Sequence, residues 1–154
     1  MKTVLVSSMA IAIALSACSS NPSKKSVPDV STMLRQETGQ NGRACIRQSE
    51  ILGFGTPKHN VVSIDGNRKY YIATVLPGCN SLDTAFAAAF KGGFGEVCGG
   101  TGKMQLRNEH CTIRDIFEFK NRDQAFATLN KVMTERKALQ EQAKAEKQKA
   151  KDSR

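Results

Sequence analysis

Residues 60–76 run Asn60-Val61-Val62-Ser63-Ile64-Asp65-Gly66-Asn67-Arg68-Lys69-Tyr70-Tyr71-Ile72-Ala73-Thr74-Val75-Leu76. Two β-rich runs flank Asp65-Gly66, a dipeptide favoured in two-residue hairpin turns, so the stretch predicts a hairpin with strands at 60–64 and 67–76. Side chains alternate along a strand, which puts Tyr70, Ile72, Thr74 and Leu76 on one face and Tyr71, Ala73 and Val75 on the other. Both faces are apolar or amphipathic. This predicts a central strand covered on both sides.

Pro77-Gly78 ends that strand, and Leu82, Ala85, Phe86, Ala89 and Phe90 then recur at helical spacing behind Ser81, predicting a short helix. Residues 92–102 are Gly-rich and predict a loop, followed by a second hairpin, 103–107 and 111–119, across Asn108-Glu109-His110. With an opening strand at 46–54, the order is three strands, a helix and two strands. The fold class is α+β, mainly β: a small antiparallel sheet or an OB-like barrel with one short helix, which fit this order equally well.

The whole chain has 154 residues, 40% hydrophobic and 24% charged, with five Cys, no Trp and a formal net charge of +9. That length holds one compact domain, and the composition excludes a wholly disordered chain and a polytopic membrane protein. Lys2 and the apolar run at 4–15 have the form of an export signal too short to span a bilayer. The run ends in Leu15-Ser16-Ala17-Cys18, which resembles the lipobox of bacterial lipoproteins. This resemblance implies a signal peptide at 1–17, acylation of Cys18 and, with Ser19 following, forwarding to the outer membrane. Several acyl chains on one residue anchor stably where a single chain is marginal.

Residues 18–44, with Pro22, Pro28, Gly39 and Gly42 and few large apolar side chains, are expected to be a lipid-anchored flexible tether, within which Ser31 to Thr38 could form one or two helical turns. Residues 45–120 carry the β-rich texture and form the globular domain. A domain this small buries little apolar surface, and exported domains commonly compensate with disulfides. Cys45, Cys79, Cys98 and Cys111 fall inside it, an even number consistent with two bridges. Residues 121–154 predict a basic tail, helical or disordered: Asp123 is the expected N-cap, and Phe126, Leu129, Val132 and Met133 form a narrow apolar stripe interrupted by Arg136.

Residues 45–119 hold eight basic and seven acidic side chains, so the positive excess lies in the flanks. No aromatic-basic recognition motif is present, and nucleic acid is not an expected partner. The domain cysteines are 34, 19 and 13 positions apart, with no Cys-x-x-Cys pair, so neither a metal site nor a redox pair is expected. His110 beside Cys111 fits a polar turn residue. The run from Gly92 to Lys103 fails the phosphate-loop spacing, with Val97 where its first Gly belongs and Met104 in place of Ser or Thr. Asp115 is in phase with Ile113, Phe117 and Phe119. It is expected to be turned outward by a β-bulge, with a buried carboxylate as the alternative.

Cys45-Ile46, Arg68-Lys69-Tyr70-Tyr71, Leu76, Cys79, Leu82, Val97-Cys98, Cys111-Thr112-Ile113 and Ile116 together resemble a family of small exported bacterial proteins of unknown function. The resemblance covers about half the chain and implies a disulfide-stapled domain without transferring an active site. Within that frame the expected pairing is Cys45 with Cys111, joining first and last strands, and Cys79 with Cys98. The functional expectation is a non-enzymatic, periplasm-facing lipoprotein without cofactor or metal that binds an envelope protein or the cell wall, with Tyr70, Tyr71 and Phe94 as contacts. Core packing is the competing role for Tyr70. The alternatives are an inhibitor of wall hydrolases, or a hydrolase using Asp115 or Glu118.

Overall fold

The structure, a computed structural model, describes residues 26–152. The expected signal peptide at 1–17 and the expected acylation site Cys18 lie outside the described residues. Helix α1 (Val30–Thr38) precedes strands β1 (Cys45–Arg47), β2 (Ile51–Lys58), β3 (Val61–Gly66), β4 (Tyr70–Val75), β5 (Ala89–Lys91), β6 (Glu96–Cys98), β7 (Lys103–Gln105) and β8 (His110–Phe119). Helix α2 (Arg122–Asp152) closes the described chain. Six strands pair antiparallel in the order β2-β3-β4-β8-β7-β5, and β1 pairs with β6. The strand system curls into a half-barrel, so the fold is mainly β with two helices and two disulfides.

The hairpin of β3 and β4 is present, but its turn lies later than Asp65-Gly66. Asp65 still pairs with Tyr70, and the Gly66 N–H donates to the Lys69 carbonyl at 3.0 Å around Asn67-Arg68. β4 is central, between β3 and β8, and every residue of it is buried. The second hairpin, β7 with β8, also matches its expected place.

The expected helix over 82–90 is instead one 3-10 turn, Leu82–Thr84, followed by edge strand β5. The Asn80 and Ser81 N–H groups that would start a helix donate to Glu109 at 3.1 and 2.8 Å. Phe86 is 99% exposed, while Phe90 pairs edge-on with Phe54 at 5.9 Å, so the apolar spacing does not describe one buried stripe. The expected opening strand is likewise broken, by a 3-10 turn at Gln48–Glu50 between β1 and β2.

Each face of the sheet carries its own core. Tyr71, Ala73, Val75, Cys111, Ile113 and Ile116 pack on one side with Ile46, Val97 and Leu82. Tyr70, Ile72, Phe117 and Phe119 pack on the other against Met33 and Leu34 of α1 and Ala125, Leu129 and Val132 of α2. The change of parity between Ile113 and Ile116 comes from a bulge: Thr74 pairs with Asp115 but Val75 with Ile113, leaving Arg114 as the extra residue. The bulge exists as expected, yet it turns Asp115 inward, toward α1, and not outward.

Residues 29–44 are therefore not a tether. Asp29 caps α1 by accepting the Thr32 N–H at 2.8 Å, and Gly39 ends it in a left-handed conformation at φ 67°. The short helix is held by burial of Met33 and Leu34, each worth roughly 1.5–3 kcal/mol. Gly42 follows at φ 75°, and its carbonyl accepts the Ile116 N–H at 2.8 Å. In α2 the cap is Asn121, not Asp123: Asn121 Oδ1 accepts the Gln124 N–H at 2.9 Å, and Gln124 Oε1 accepts the Lys120 N–H at 3.0 Å. The first turns dock through Ala125, Leu129 and Val132, and the helix continues as a mostly exposed rod beyond Leu139.

The disulfides are Cys45–Cys98 and Cys79–Cys111, correcting the expected Cys45–Cys111 and Cys79–Cys98. β1 does not lie beside Cys111; it pairs with β6, placing Cys45 directly opposite Cys98. Cys79 and Cys111 are both buried in the core that holds Leu82. The bridges span 53 and 32 residues, and in the chain-entropy account each destabilises the unfolded chain by about 4 kcal/mol.

Candidate functional site

A two-residue turn, His59-Asn60, joins β2 to β3, with Lys58 opposite Val61 and Asn60 in a left-handed conformation at φ 59° that Asn tolerates. The turn brings Lys58, His59 and Asn60 beside Thr74 and Val75 at the end of β4. Asp29 and Val30 at the start of α1, Arg114 of the bulge, and Met133 and Arg136 of α2 face them. Together these groups line a cavity of about 330 Å³.

Three cations, Lys58, Arg114 and Arg136, meet one carboxylate in this cradle. Burial raises the Asp29 pKa, but hydrogen bonds from Thr32 and Arg114 more than reverse this, and the carboxyl sits below its ordinary value. Arg114 Nη1 donates to Asp29 Oδ2 at 2.8 Å, so that pair is mutually neutralised. Arg136 Nε donates to the Pro28 carbonyl at 3.1 Å, leaving its terminal nitrogens without a partner among the described residues. The Lys58 ammonium has no hydrogen-bond or ion-pair partner among them. His59 Nδ1 lies 2.8 Å from Asp83 Oδ2, outside the cavity lining. The excess charge thus rests on Lys58 and Arg136.

Asn60 and Thr74, which line the cradle, each hold a buried side-chain oxygen, Oδ1 and Oγ1, without a hydrogen-bond partner. Thr74 is only 4% exposed. A buried polar group left unpaired costs about 1–3 kcal/mol, so such a pair in one cavity calls for a physical reason.

Behind the cradle, Asp115 is 0% exposed and accepts from Ser31 Oγ and Arg35 Nη2, with Arg114 Nε at 3.6 Å from its Oδ2. All its partners position α1 and the bulge. A carboxylate so enclosed has no open side for a substrate. Glu118, the other acid considered for hydrolysis, pairs with Lys69 on the surface.

Tyr70, Tyr71 and Phe94 are not brought together. Tyr70 is buried on the helix-covered face, 5.9 Å from the Phe126 ring. Tyr71 is buried on the opposite face, at the edge of a second cavity of about 350 Å³ that also touches Arg47, Lys69 and Glu96. Its phenol pKa is raised by burial and then by the charges of Glu118 and Glu50. Phe94 stands alone at φ 56°, 109% exposed, in the loop before β6.

Cys45 and Cys98 lie close to Glu96, and Cys79 and Cys111 to Glu109. These sulfurs are bonded to each other, so neither group offers a thiolate set to a metal. Glu109 serves instead as an anchor for the 80–81 backbone, whose N–H groups hold its carboxyl below the ordinary range. The cradle itself was missed by sequence reasoning. Its traces were there: the polar Lys58-His59-Asn60 between two strands, and Arg136 interrupting an apolar stripe.

This fold defines a small, mainly-β, disulfide-stapled half-barrel whose helices cover one face. The chain belongs to a family of unknown function (DUF6491), whose model matches residues 1–150. No curated protein and no solved structure matches the chain. No helix among the described residues is long and apolar enough to cross a membrane.

Proposed function

We propose that this protein is an exported lipoprotein, acylated at Cys18 and held at the bacterial outer membrane facing the periplasm, where its stapled domain acts as a non-enzymatic binding module. The observation that carries this reading is the pairing of all four domain cysteines in two disulfides, which suits an oxidising compartment. The signal-like residues 1–17 and the lipobox-like Leu15-Ser16-Ala17-Cys18 support the same address. Ten residues separate Cys18 from Asp29, a reach of at most about 40 Å, so an anchored domain stays close to the headgroups. The enclosure of Asp115 weighs against the hydrolase alternative, and of the three expected contacts Tyr70, Tyr71 and Phe94 only Phe94 is exposed.

The test is metabolic labelling with palmitate, paired with alkylation of the native protein. Label is expected on the wild-type chain and absent from Cys18→Ser, which shifts to the soluble fraction, while Cys45, Cys79, Cys98 and Cys111 resist alkylation until reduced. Absence of label on the wild type, or four freely alkylated thiols, overturns the reading.

A further inference from the structure

We propose that the cradle between the His59-Asn60 turn, α1 and α2 is a binding site for a phosphorylated polyol, a phosphoryl group carrying hydroxyls such as glycerol phosphate. This goes beyond the envelope address and does not depend on acylation. Lys58 and Arg136 are its uncompensated cations. A phosphomonoester carries about 1.5–2 negative charges at neutral pH, close to the excess of three cations over the single carboxylate Asp29. The free terminal nitrogens of Arg136 form the fork that phosphate oxygens accept from, and Lys58 adds a point charge.

The unpartnered oxygens specify the rest of the ligand. Asn60 Oδ1 accepts only, so ionised phosphate oxygens leave it unpaired; it needs a hydroxyl donor. Thr74 Oγ1 both donates and accepts, and it suits a second hydroxyl or a phosphate oxygen. A bare phosphate must serve the cations and Asn60 with one small group, a neutral polyol satisfies Asn60 but not the cations, and a polyol phosphate supplies the charge and the hydroxyl donor from separate groups. Val30, Val75 and Met133 form the apolar wall, which fits the carbon backbone of a small polyol. Val30 and Asp29 belong to the start of α1, so the cavity lies near the point from which the chain runs toward Cys18. The same chemistry is therefore offered by a soluble polyol phosphate and by a glycerophospholipid headgroup.

Calorimetric titration of the full chain in non-ionic detergent distinguishes these. The probes are glycerol 3-phosphate, inorganic phosphate, glycerol, and micelles doped with phosphatidylglycerol or phosphatidylcholine. Saturable binding of glycerol 3-phosphate, of phosphatidylglycerol micelles, or of both is expected, with inorganic phosphate weaker and glycerol silent. Binding of the free ester alone identifies a soluble ligand, and binding of the doped micelles alone a lipid headgroup. Affinity is expected to fall with salt and to drop at least fivefold in Lys58→Gln and in Thr74→Val. Lys58 is exposed and unpaired, so its replacement leaves the fold intact. Thr74→Val removes an unsatisfied buried hydroxyl, so it is expected to raise the melting temperature while it weakens binding, a combination that a purely structural Thr74 does not produce. No saturable heat with either glycerophosphate source, equal binding of glycerol, or wild-type affinity in both variants refutes the site.

Discussion

Replacing Asp115 by Asn tests whether the first helix belongs to the fold. The carboxylate is wholly enclosed, and it accepts from Ser31 and Arg35 of α1 while Arg114 Nε stands 3.6 Å away. Asn keeps the shape but presents one face of N–H donors to groups that themselves donate, and it removes the charge that Arg35 and Arg114 balance. Breaking a buried ion pair from one side costs about 3–5 kcal/mol. Arg35 is 43% exposed and rehydrates when released, so screening lowers the expectation to about 2–3 kcal/mol. At about 4 °C per kcal/mol for a domain of this size, the melting temperature should fall by roughly 10 °C. The chain has no Trp, so unfolding is followed by circular dichroism in urea with the disulfides intact. Ser31→Ala combined with Asp115→Asn should show a coupling above about 0.5 kcal/mol, since the two side chains touch. A loss below about 0.5 kcal/mol for Asp115→Asn, with additive behaviour of the pair, would show that the carboxylate does not hold α1 to the sheet.

The remaining expectations follow from single contacts. Gly42→Ala puts a Cβ 2.5 Å from Asp115 Oδ1 at φ 75°, and should destabilise by at least about 2 kcal/mol in the same assay. Leu129→Ala, in the docked turns of α2, should cost about 2–4 kcal/mol, whereas Leu139→Ala, on the exposed rod, should cost under about 0.5 kcal/mol; comparable losses would refute the division of α2 into docked and free parts. Asp29→Ala should cost about 1 kcal/mol at pH 7 by removing the cap. Folding depresses the Asp29 pKa, so the native state holds fewer protons there than the unfolded chain. The stabilisation is present above the unfolded value of 3.8 and lost as pH falls through the folded one. The gap in urea midpoint between wild type and Asp29→Ala should therefore narrow as pH falls below 3.8, and a constant gap would exclude this origin.

Local signals recovered the sheet best where pattern and burial agree. Residues 70–75 are apolar on both faces because one core lies on each side of the sheet, and that two-sided burial is visible in the alternation itself. The bulge at Arg114 was inferable from a charge in an apolar run, but not its direction: Ser31 and Arg35 of α1, 84 and 80 residues before Asp115 in the chain, supply the partners that turn it inward. Asp29 and Gly39 bracket Val30, Met33 and Leu34 as a cap, an end and a helical stripe, yet a helix this short is stable only through a partner far along the chain. The apolar run at 85–90 had the spacing of a helix but not its partner surface, and edge pairing with β7 prevailed. Disulfide connectivity depends on which strands become neighbours, and spacing alone is silent on it. The cradle is assembled from a turn, a bulge and two helices, so no local motif announces it.

The two bridges interleave: Cys79 lies inside the loop closed by Cys45–Cys98, and Cys98 inside the loop closed by Cys79–Cys111. A protease that cuts once anywhere from residue 46 to 110 leaves both fragments joined covalently. A cut at the exposed Phe86 or Phe94 is spanned by both bridges at once. Hydrolysis at either exposed Phe thus releases nothing, and the nicked molecule stays in one piece until it meets a reductant.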